Sequence, residues 1–464
     1  MPVTLKCLGG ARTVTGSSHL ILADKSQVLL DAGLFQGRRD QSYQVNTTLS
    51  FNPRKVKAMV LSHAHIDHCG NIPTLIKKGM RCKVYATSAT KDLAKVMLED
   101  SGKIQEEDIQ YVNKINRRLG FPPRKPLYTR KEALKATRIF RPLSYGQRFC
   151  IAKDVTVTLY DAGHILGSAI VVLDIKDNGR LIRLGYAVDL GRKNLPLINN
   201  PRVPQGLDYL ILESTYGGRV HSPVEDARAR LTEVINRTVA RRGKIIIPAF
   251  SLERTQEVLY FLDALVREKA IPALPIYVDS PLATEVTQLF LHHLSYLNKK
   301  TQAAIADEKN PFEFINLRYT KNQEESKRLN DDHSPMVIIA GSGMCESGRI
   351  LHHLKNNIED SRNTVMVVGF MAKDTLGKKL VDRAPLVRIF GVEYELHAEV
   401  VVINSFSGHA DKNELLEFVS ESLPLRRIVL VHGEEDQMYT LSDTLSRLGL
   451  DVYIPSKDEE IVLD

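Results

Sequence analysis

Short apolar runs broken by glycine open the chain. VTLKCLGG, SSHLILAD and SQVLLDAG are rich in β-branched and aliphatic residues, and their punctuation predicts strands joined by turns. KVKAMVLSHAH reads as a buried strand running into a loop. From Thr87 to about Leu119 the period changes, and Leu93, Val96, Met97 and Ile104 fall on one face of a helix. Strands return at DVTVTLYDAGH, where apolar and polar positions alternate, and then at AIVVLDI, IRLGYAVDLG and DYLILESTYG.

After Tyr216 strands and helices alternate. SPVEDARARLTEVINRTVARRG predicts a helix ending at Gly243, with Ser222 as N-cap and Pro223 in the first helical position. KIIIPAF, PIYVDS, MVIIAGSG and NTVMVVGF read as strands separated by helices, one from about Ser347 to Asn357, and this order is the mark of a parallel sheet. The last stretch, RRIVLVHGEEDQMYTLSDTLSRLGLDVYIP, is again strand, loop, helix, strand. The organisation expected is a β-rich domain over 1–213, an inserted α/β domain over 214–398, and a return to the first domain over 399–464.

Composition narrows the function classes. With 464 residues, 43% of them hydrophobic and 25% charged, the chain can bury large cores and is not a disordered polymer. No segment approaches the roughly 18–20 apolar residues of a membrane span, and MPVTLKCLGG lacks the pattern of a secretory leader. The five cysteines are scattered without a CxxC, which points to a reducing, cytoplasmic setting. The net charge of +8 suits an anionic partner, although solubility alone also accounts for it. Residues 103–148 hold twelve Lys and Arg against four Asp and Glu. Tyr111, Phe121 and Tyr128 are interleaved among them, as in a single-strand-binding surface, while Pro122, Pro123 and Pro126 predict a rigid exposed loop. A helical hairpin packed on the core is the other reading of that segment.

The sharpest chemical signal is His63-Ala64-His65-Ile66-Asp67-His68, directly after an apolar strand. In an extended strand end His63 and His65 point the same way, and a turn into a helix brings Asp67 and His68 round. Imidazole nitrogens and a carboxylate are zinc ligands, and one such run can serve two metals. It cannot complete two sites alone. His164, Asp189 and His432 each stand where an apolar strand meets a glycine-containing loop, and they are the partners expected. GSGMCESGR, containing Ser342 and Gly343, follows a strand and precedes a helix. It is either a phosphate cradle or an ordinary strand–helix connection. Arg254, Arg349 and Lys378, beside loop phrases of the insert, are candidate phosphate contacts.

These motifs resemble the metallo-β-lactamase-fold nucleases of the β-CASP group. LLDAG at Asp31, SHAHIDH, AGHILGS at His164 and DLGR at Asp189 follow the family order, as do LESTYGG at Glu213, FSGHAD at His409 and LVHGE at His432. IPAFSLERTQE, DSPLA, GSGMCESGRI and NTVMVVGF are further phrases of the same group. The likeness is nearest to short prokaryotic homologues of the 73-kDa subunit of the cleavage and polyadenylation specificity factor. Departures are Ala187-Val188 before Asp189, and Lys373-Asp374 where the family has Glu-Gly.

The resemblance implies an αββα metallo-β-lactamase sandwich with an inserted β-CASP domain and a site in the cleft between them. It implies two zinc ions, one held by His63, His65 and His164, the other by Asp67, His68 and His432, with Asp189 bridging. Two such ions share a nucleophilic hydroxide at neutral pH. Asp31 would orient a ligand histidine. His409 would be the general acid and Glu213 its partner. The implied activity is endonucleolytic hydrolysis of single-stranded RNA, leaving a 5′ phosphate, in RNA processing or decay. A 5′→3′ exonuclease and a small-molecule metallo-hydrolase are the alternatives, while His432 argues against a DNA nuclease. A homodimer is common in such families.

Overall fold

The structure is a computed structural model that describes residues 2–24, 26–37, 39–177, 179–369, 371–372 and 374–464. Lys373 lies outside the described residues. The chain divides into two units, one of residues 1–193, 199–220 and 409–464, the other of 194–198 and 221–408.

The first unit is built on two seven-stranded sheets. One runs, side by side, Glu460–Leu463, Val3–Gly9, Ser18–Ala23, Ser26–Leu30, Ala58–Val60, Lys83–Ala86 and Phe140–Pro142. The other runs Val452–Tyr453, Arg427–Val431, Tyr209–Glu213, Arg180–Ala187, Ala169–Asp177, Val155–Asp161 and Phe149–Ala152. Leu5, Ile21 and Val60 from the first sheet share one core with Val157, Leu173 and Ile211 from the second. The outer face of the second sheet is covered by helices Lys412–Ser422 and Glu435–Arg447, whose Leu415, Phe418 and Leu441 pack with Val172 and Leu430. Covered on both faces, Ala169–Asp177 is buried over its first seven residues. This is an αββα sandwich.

Within each sheet a set of neighbouring strands is parallel. Ser26–Leu30, Ala58–Val60 and Lys83–Ala86 form one set. Arg180–Ala187, Tyr209–Glu213 and Arg427–Val431 form the other. Parallel strands deliver their carboxyl ends to one edge, where ligands of open α/β sheets bind. Asp31 and His432 immediately follow such strands, and Asp189 comes two residues after another. All three adopt left-handed backbone angles, with φ of 57°, 49° and 55°. That conformation costs a non-glycine residue energy and is held only when the surroundings over-determine it.

The second unit carries a six-stranded sheet, entirely parallel, in the order Leu317–Tyr319, Ile276–Asp279, Val337–Ala340, Ile245–Pro248, Thr364–Val367 and Glu399–Val402. Its strands are short apolar runs such as Ile245-Ile246-Ile247, as a sheet buried on both faces requires. Glu399–Val402 pairs with Thr364–Val367, so a boundary drawn at 398/399 would cut a strand from its own sheet; the chain returns to the first unit at His409.

Three local expectations need correction. The helix expected to start at Pro223 with Ser222 as cap is Glu225–Ala240, with Val224 in the cap position. Asp226 and Ala227 donate to the carbonyls of Pro223 and Val224, three residues back, so the first turn is wound tighter than an α-helix. Ile104 is exposed although it lies on the face of Leu93, because helix Ser88–Leu119 outruns the core beneath it. Tyr128 is fully buried, with its hydroxyl 2.8 Å from Ser101 Oγ, and is no stacking platform. Among the described residues no helix is long and apolar enough to cross a membrane.

Candidate active site

The histidine run leaves its strand earlier than its sequence suggests. Ala58–Val60 ends before His63, and Ile66–Cys69 is a single helical turn. The run is fixed by backbone bonds to the segment after Leu30 and to Ser17. Ala32 N donates to His68 O at 2.8 Å, Ser17 N to Asp67 O at 2.8 Å and Leu34 N to Ile66 O at 2.9 Å. A Cβ at Gly33 would fall 1.5 Å from the Asp67 carbonyl oxygen, so only glycine allows this approach.

Two groups of donor atoms face each other across Asp189. In the first, Asp189 Oδ2 lies 3.2 Å from His63 Nε2, 3.9 Å from His65 Nδ1 and 3.4 Å from His164 Nε2. His65 Nδ1 is 3.1 Å from His63 Nε2 and 3.3 Å from His164 Nε2. In the second, Asp189 Oδ1 lies 3.4 Å from His68 Nε2 and 3.1 Å from His432 Nδ1. Asp67 Oδ2 is 3.8 Å from His68 Nε2 and 3.6 Å from His432 Nε2. Ligands placed tetrahedrally at the zinc–nitrogen distance of about 2.0–2.1 Å stand about 3.3 Å apart, which these separations match. His68 Nε2, His432 Nε2 and Asp189 Oδ1 are buried without a hydrogen-bond partner. Orphaned buried polar atoms are costly, and a shared cation accounts for all three. The residues therefore fit a divalent metal.

The proton positions agree with that. Asp31 collects four donors: Ser62 N at 2.7 Å, Ser62 Oγ at 2.7 Å, His68 Nδ1 at 2.8 Å and the Tyr186 hydroxyl at 3.0 Å. The His68 proton is thereby held on Nδ1 and the Nε2 lone pair faces the site. Ser62 Oγ, its own proton given to Asp31, accepts from His63 Nδ1 at 3.0 Å and does the same for that ring. Burial lowers the pKa of His63 to about 4 and that of His164 well below the ordinary range, so both favour the neutral form a ligand needs. Burial opposes charge on Asp189 and His68 as well. There the neighbours win: the surrounding histidines hold Asp189 ionised, and Asp189 with Asp67 holds His68 well above its usual pKa. A proton on His68 thus sits where a cation would.

His409 stands beside this group. Its ring centroid is 4.6 Å from that of His164, and its Nδ1 is 3.2 Å from both carboxylate oxygens of the buried Glu213. Glu213 also accepts from Leu190 N. Burial works against a charged His409, but Glu213 and Asp189 outweigh it and raise its pKa to about 9. Asp189, Glu213 and His409 are close enough to hold an ion themselves. The Asp189 and His164 loops touch through glycine: a Cβ on Gly191 would meet Gly163 O at 1.6 Å.

Sequence reasoning missed the layer behind these donor groups. The Tyr186 hydroxyl also meets Ser17 Oγ at 3.1 Å and His19 Nδ1 at 3.3 Å. His19, given no role from sequence, is fully buried, and burial lowers its pKa to about 3. Thr215 Oγ1 lies 3.3 Å from His432 Nδ1. The only signal was position: Tyr186 and Ser62 lie within three residues of a member of the donor groups.

The five residues expected to touch RNA are in the second unit. Arg254 is nearly buried and paired with Glu257. Arg349 Nη1 lies 2.6 Å from Asp279 Oδ1, inside a network with Thr320, Ser326 and His353. Lys378 pairs with Asp382 at the surface, where a phosphate can displace the carboxylate. Ser342 Oγ accepts from the amides of Glu346 and Ser347 at 3.1 and 3.3 Å, and Gly343 packs under Phe250.

Comparisons with known proteins agree in both halves. A Metallo-beta-lactamase superfamily domain matches residues 20–195, a Beta-Casp domain 255–380, and a Zn-dependent metallo-hydrolase RNA specificity domain 393–455. Ribonuclease TTHA0252 of Thermus thermophilus is 38% identical over 444 residues, 96% of each chain. Transcription termination factor FttA of Methanocaldococcus jannaschii is 31% identical over 465 residues, covering 98% of this chain and 70% of its own. In fold, the crystal structure of a protein of unknown function from Enterococcus faecalis V583 covers 100% of both chains with a TM-score of 0.54 at 13% identity.

Proposed function

Because the chain belongs to the β-CASP family of metallo-β-lactamase-fold enzymes and is a metal-dependent ribonuclease, we propose that it cuts single-stranded RNA internally, with two zinc ions, in RNA processing or decay. The observation that carries the reading is the pair of donor groups meeting at Asp189, with three of their atoms buried and unpartnered. His63, His65 and His164 would hold one ion, Asp67, His68 and His432 the other, and Asp189 both. Bound there, the ions would supply Lewis acidity to the scissile phosphodiester and to the attacking water. The chain's own groups do the rest. Asp31 and Ser62 keep the ligand rings in the tautomer that faces the site. Glu213 holds His409 by Nδ1, so Nε2 carries the proton donated to the leaving 3′ oxygen. Loss of that oxygen as a hydroxyl leaves the 5′ phosphate on the downstream fragment.

The test is one preparation assayed on two 5′-labelled oligomers of a single sequence, RNA and DNA, with its metal counted. About two zinc per chain, internal fragments from RNA and little from DNA support the reading. Mononucleotides released in order from the 5′ end would make it an exonuclease. Two metals with neither oligomer cut would move it to a small-molecule hydrolase.

A further inference from the structure

The long helix Ser88–Leu119 carries an apolar face further than there is core to cover it. Leu93 is fully buried, yet Tyr111, about five turns on and on the same face, is 61% exposed. Ile115 and Leu119 continue the stripe and are exposed as well. The chain then reverses. Gly120 takes left-handed angles, and the loop folds back on the helix: Asn113 accepts from Arg124 N at 2.7 Å and donates to its carbonyl at 2.9 Å, while Asn116 donates to Pro122 O at 3.2 Å. Phe121 is pinned by its amide, which donates to Asn116 O at 2.9 Å, and its side chain is 62% exposed. Buried Tyr128 anchors the far end of the loop. A fixed platform therefore presents two aromatic rings to solvent.

The charge around it is mainly positive, with Glu107 and Asp108 one helical turn before Tyr111. From Ile109 to Lys131 there are seven Lys and Arg and no Asp or Glu. Lys114, Arg117, Arg118 and Lys125 are exposed, and none has an ion-pair partner among the described residues. Two copies of this surface would set like charges against each other, whereas a polyanion with stackable bases matches both the charge and the rings.

We propose that the end of helix Ser88–Leu119 and the loop after it form a second binding surface for single-stranded RNA, distant from the cleavage site. The proposal rests on the ribonuclease reading and adds a length rule to it. The helix is capped by Thr87, whose Oγ1 donates to Gly167 O at 2.7 Å in the loop that carries His164. Tyr111 lies about 35 Å further along at the ~1.5 Å rise of a helix. That span is about ten nucleotides at the ~3.4 Å spacing of a stacked strand. A short RNA reaches only the cleavage site, and a long one reaches both.

The experiment compares wild type with Tyr111→Ala/Phe121→Ala and with Arg117→Ala/Arg118→Ala on a hexamer and on a 30-nucleotide RNA. All four side chains are exposed, so unchanged melting temperatures confirm that the variants fold. The expected result is a KM about tenfold higher for the 30-mer with both variants and no change for the hexamer. In the arginine variant the salt dependence of 30-mer affinity, read by fluorescence anisotropy, should also fall by about 1.4 in slope, ~0.7 for each lost phosphate contact. Equal effects on both lengths, or none on either, overturn the proposal. A shift from dimer to monomer with RNA affinity unchanged overturns it in favour of a second copy. If wild type cuts neither RNA, the ribonuclease reading fails while the anisotropy still tests this surface.

Discussion

Replacing Tyr186 by Phe removes one hydroxyl from behind the proposed metal ligands and changes neither charge nor ring volume. Wild-type Asp31 is held by four donors, of which this hydroxyl at 3.0 Å is the longest. A hydrogen bond to a carboxylate is worth about 1.5–3 kcal/mol, but three donors remain, so only part of that reaches the His68 ring. Changes one step removed from a metal weaken it 10–100-fold. With the Ser62 and His68 bonds intact, the low end is expected: about tenfold weaker binding, or ~1.4 kcal/mol, confined to the ion proposed beside His68. Ser17 Oγ and His19 Nδ1 lose their partner as well, which should cost about 2 kcal/mol of global stability. The assay is titration of the dialysed protein against a competing zinc chelator, with bound metal counted at each step, beside urea unfolding of the same samples. Asp31→Ala serves as the upper bound, because it also frees Ser62 and with it His63. If Tyr186→Phe lowers stability while both metals keep wild-type affinity, the chain from Tyr186 through Asp31 to His68 positions nothing.

Other substitutions separate the roles. Asp189→Ala should strip metal from both groups, by more than the 10–100-fold of an indirect change, since its two oxygens face different ligand sets; retention of two ions per chain would end the bridging assignment. His409→Ala should lower turnover by about 10²–10⁴-fold with metal content unchanged, and a variant that loses zinc would show His409 to be a ligand. In the second unit, burial opposes the Asp279 carboxylate, but hydrogen bonds from His353, Ser326 and Thr320 outweigh it and hold its pKa below the ordinary range. A depressed carboxyl stabilises the fold above its unfolded pKa of about 3.9 and loses that contribution as pH falls toward the folded value. Asp279→Asn should therefore cost about 3 kcal/mol at pH 7 and visibly less at pH 3.5 in urea unfolding; a gap equal at both pH values contradicts the charge-based account.

What could be read from sequence was whatever local pattern decides. The run from His63 to His68 was legible because one strand end and one helical turn suffice to gather it, and His164, Asp189 and His432 because each follows an apolar strand. The parallel sheet of the second unit followed from the alternation of strands and helices. Tyr186, Ser17 and His19 were not legible, because their meeting depends on which strands become neighbours, and nothing within any one of those segments records it. Tyr128 looked like one more aromatic in a basic stretch, yet the turn at Gly120 returns it to the interior while leaving Phe121 outside. Charge alone made Arg254 and Arg349 candidate phosphate contacts, whereas the structure pairs them with Glu257 and Asp279, partners that a count of positive charges cannot see.

The site gathers side chains from residue 63 to residue 432. Synthesis runs from the amino terminus, and strand Arg427–Val431, which delivers His432, follows every other strand that leads into a member of the site. In the proposed scheme a nascent chain that has not reached residue 409 lacks both the acid His409 and the ligand His432, whatever else has folded. In that scheme the site stays incomplete until residue 432 has been made, and a product cut short before it cannot assemble the second donor group.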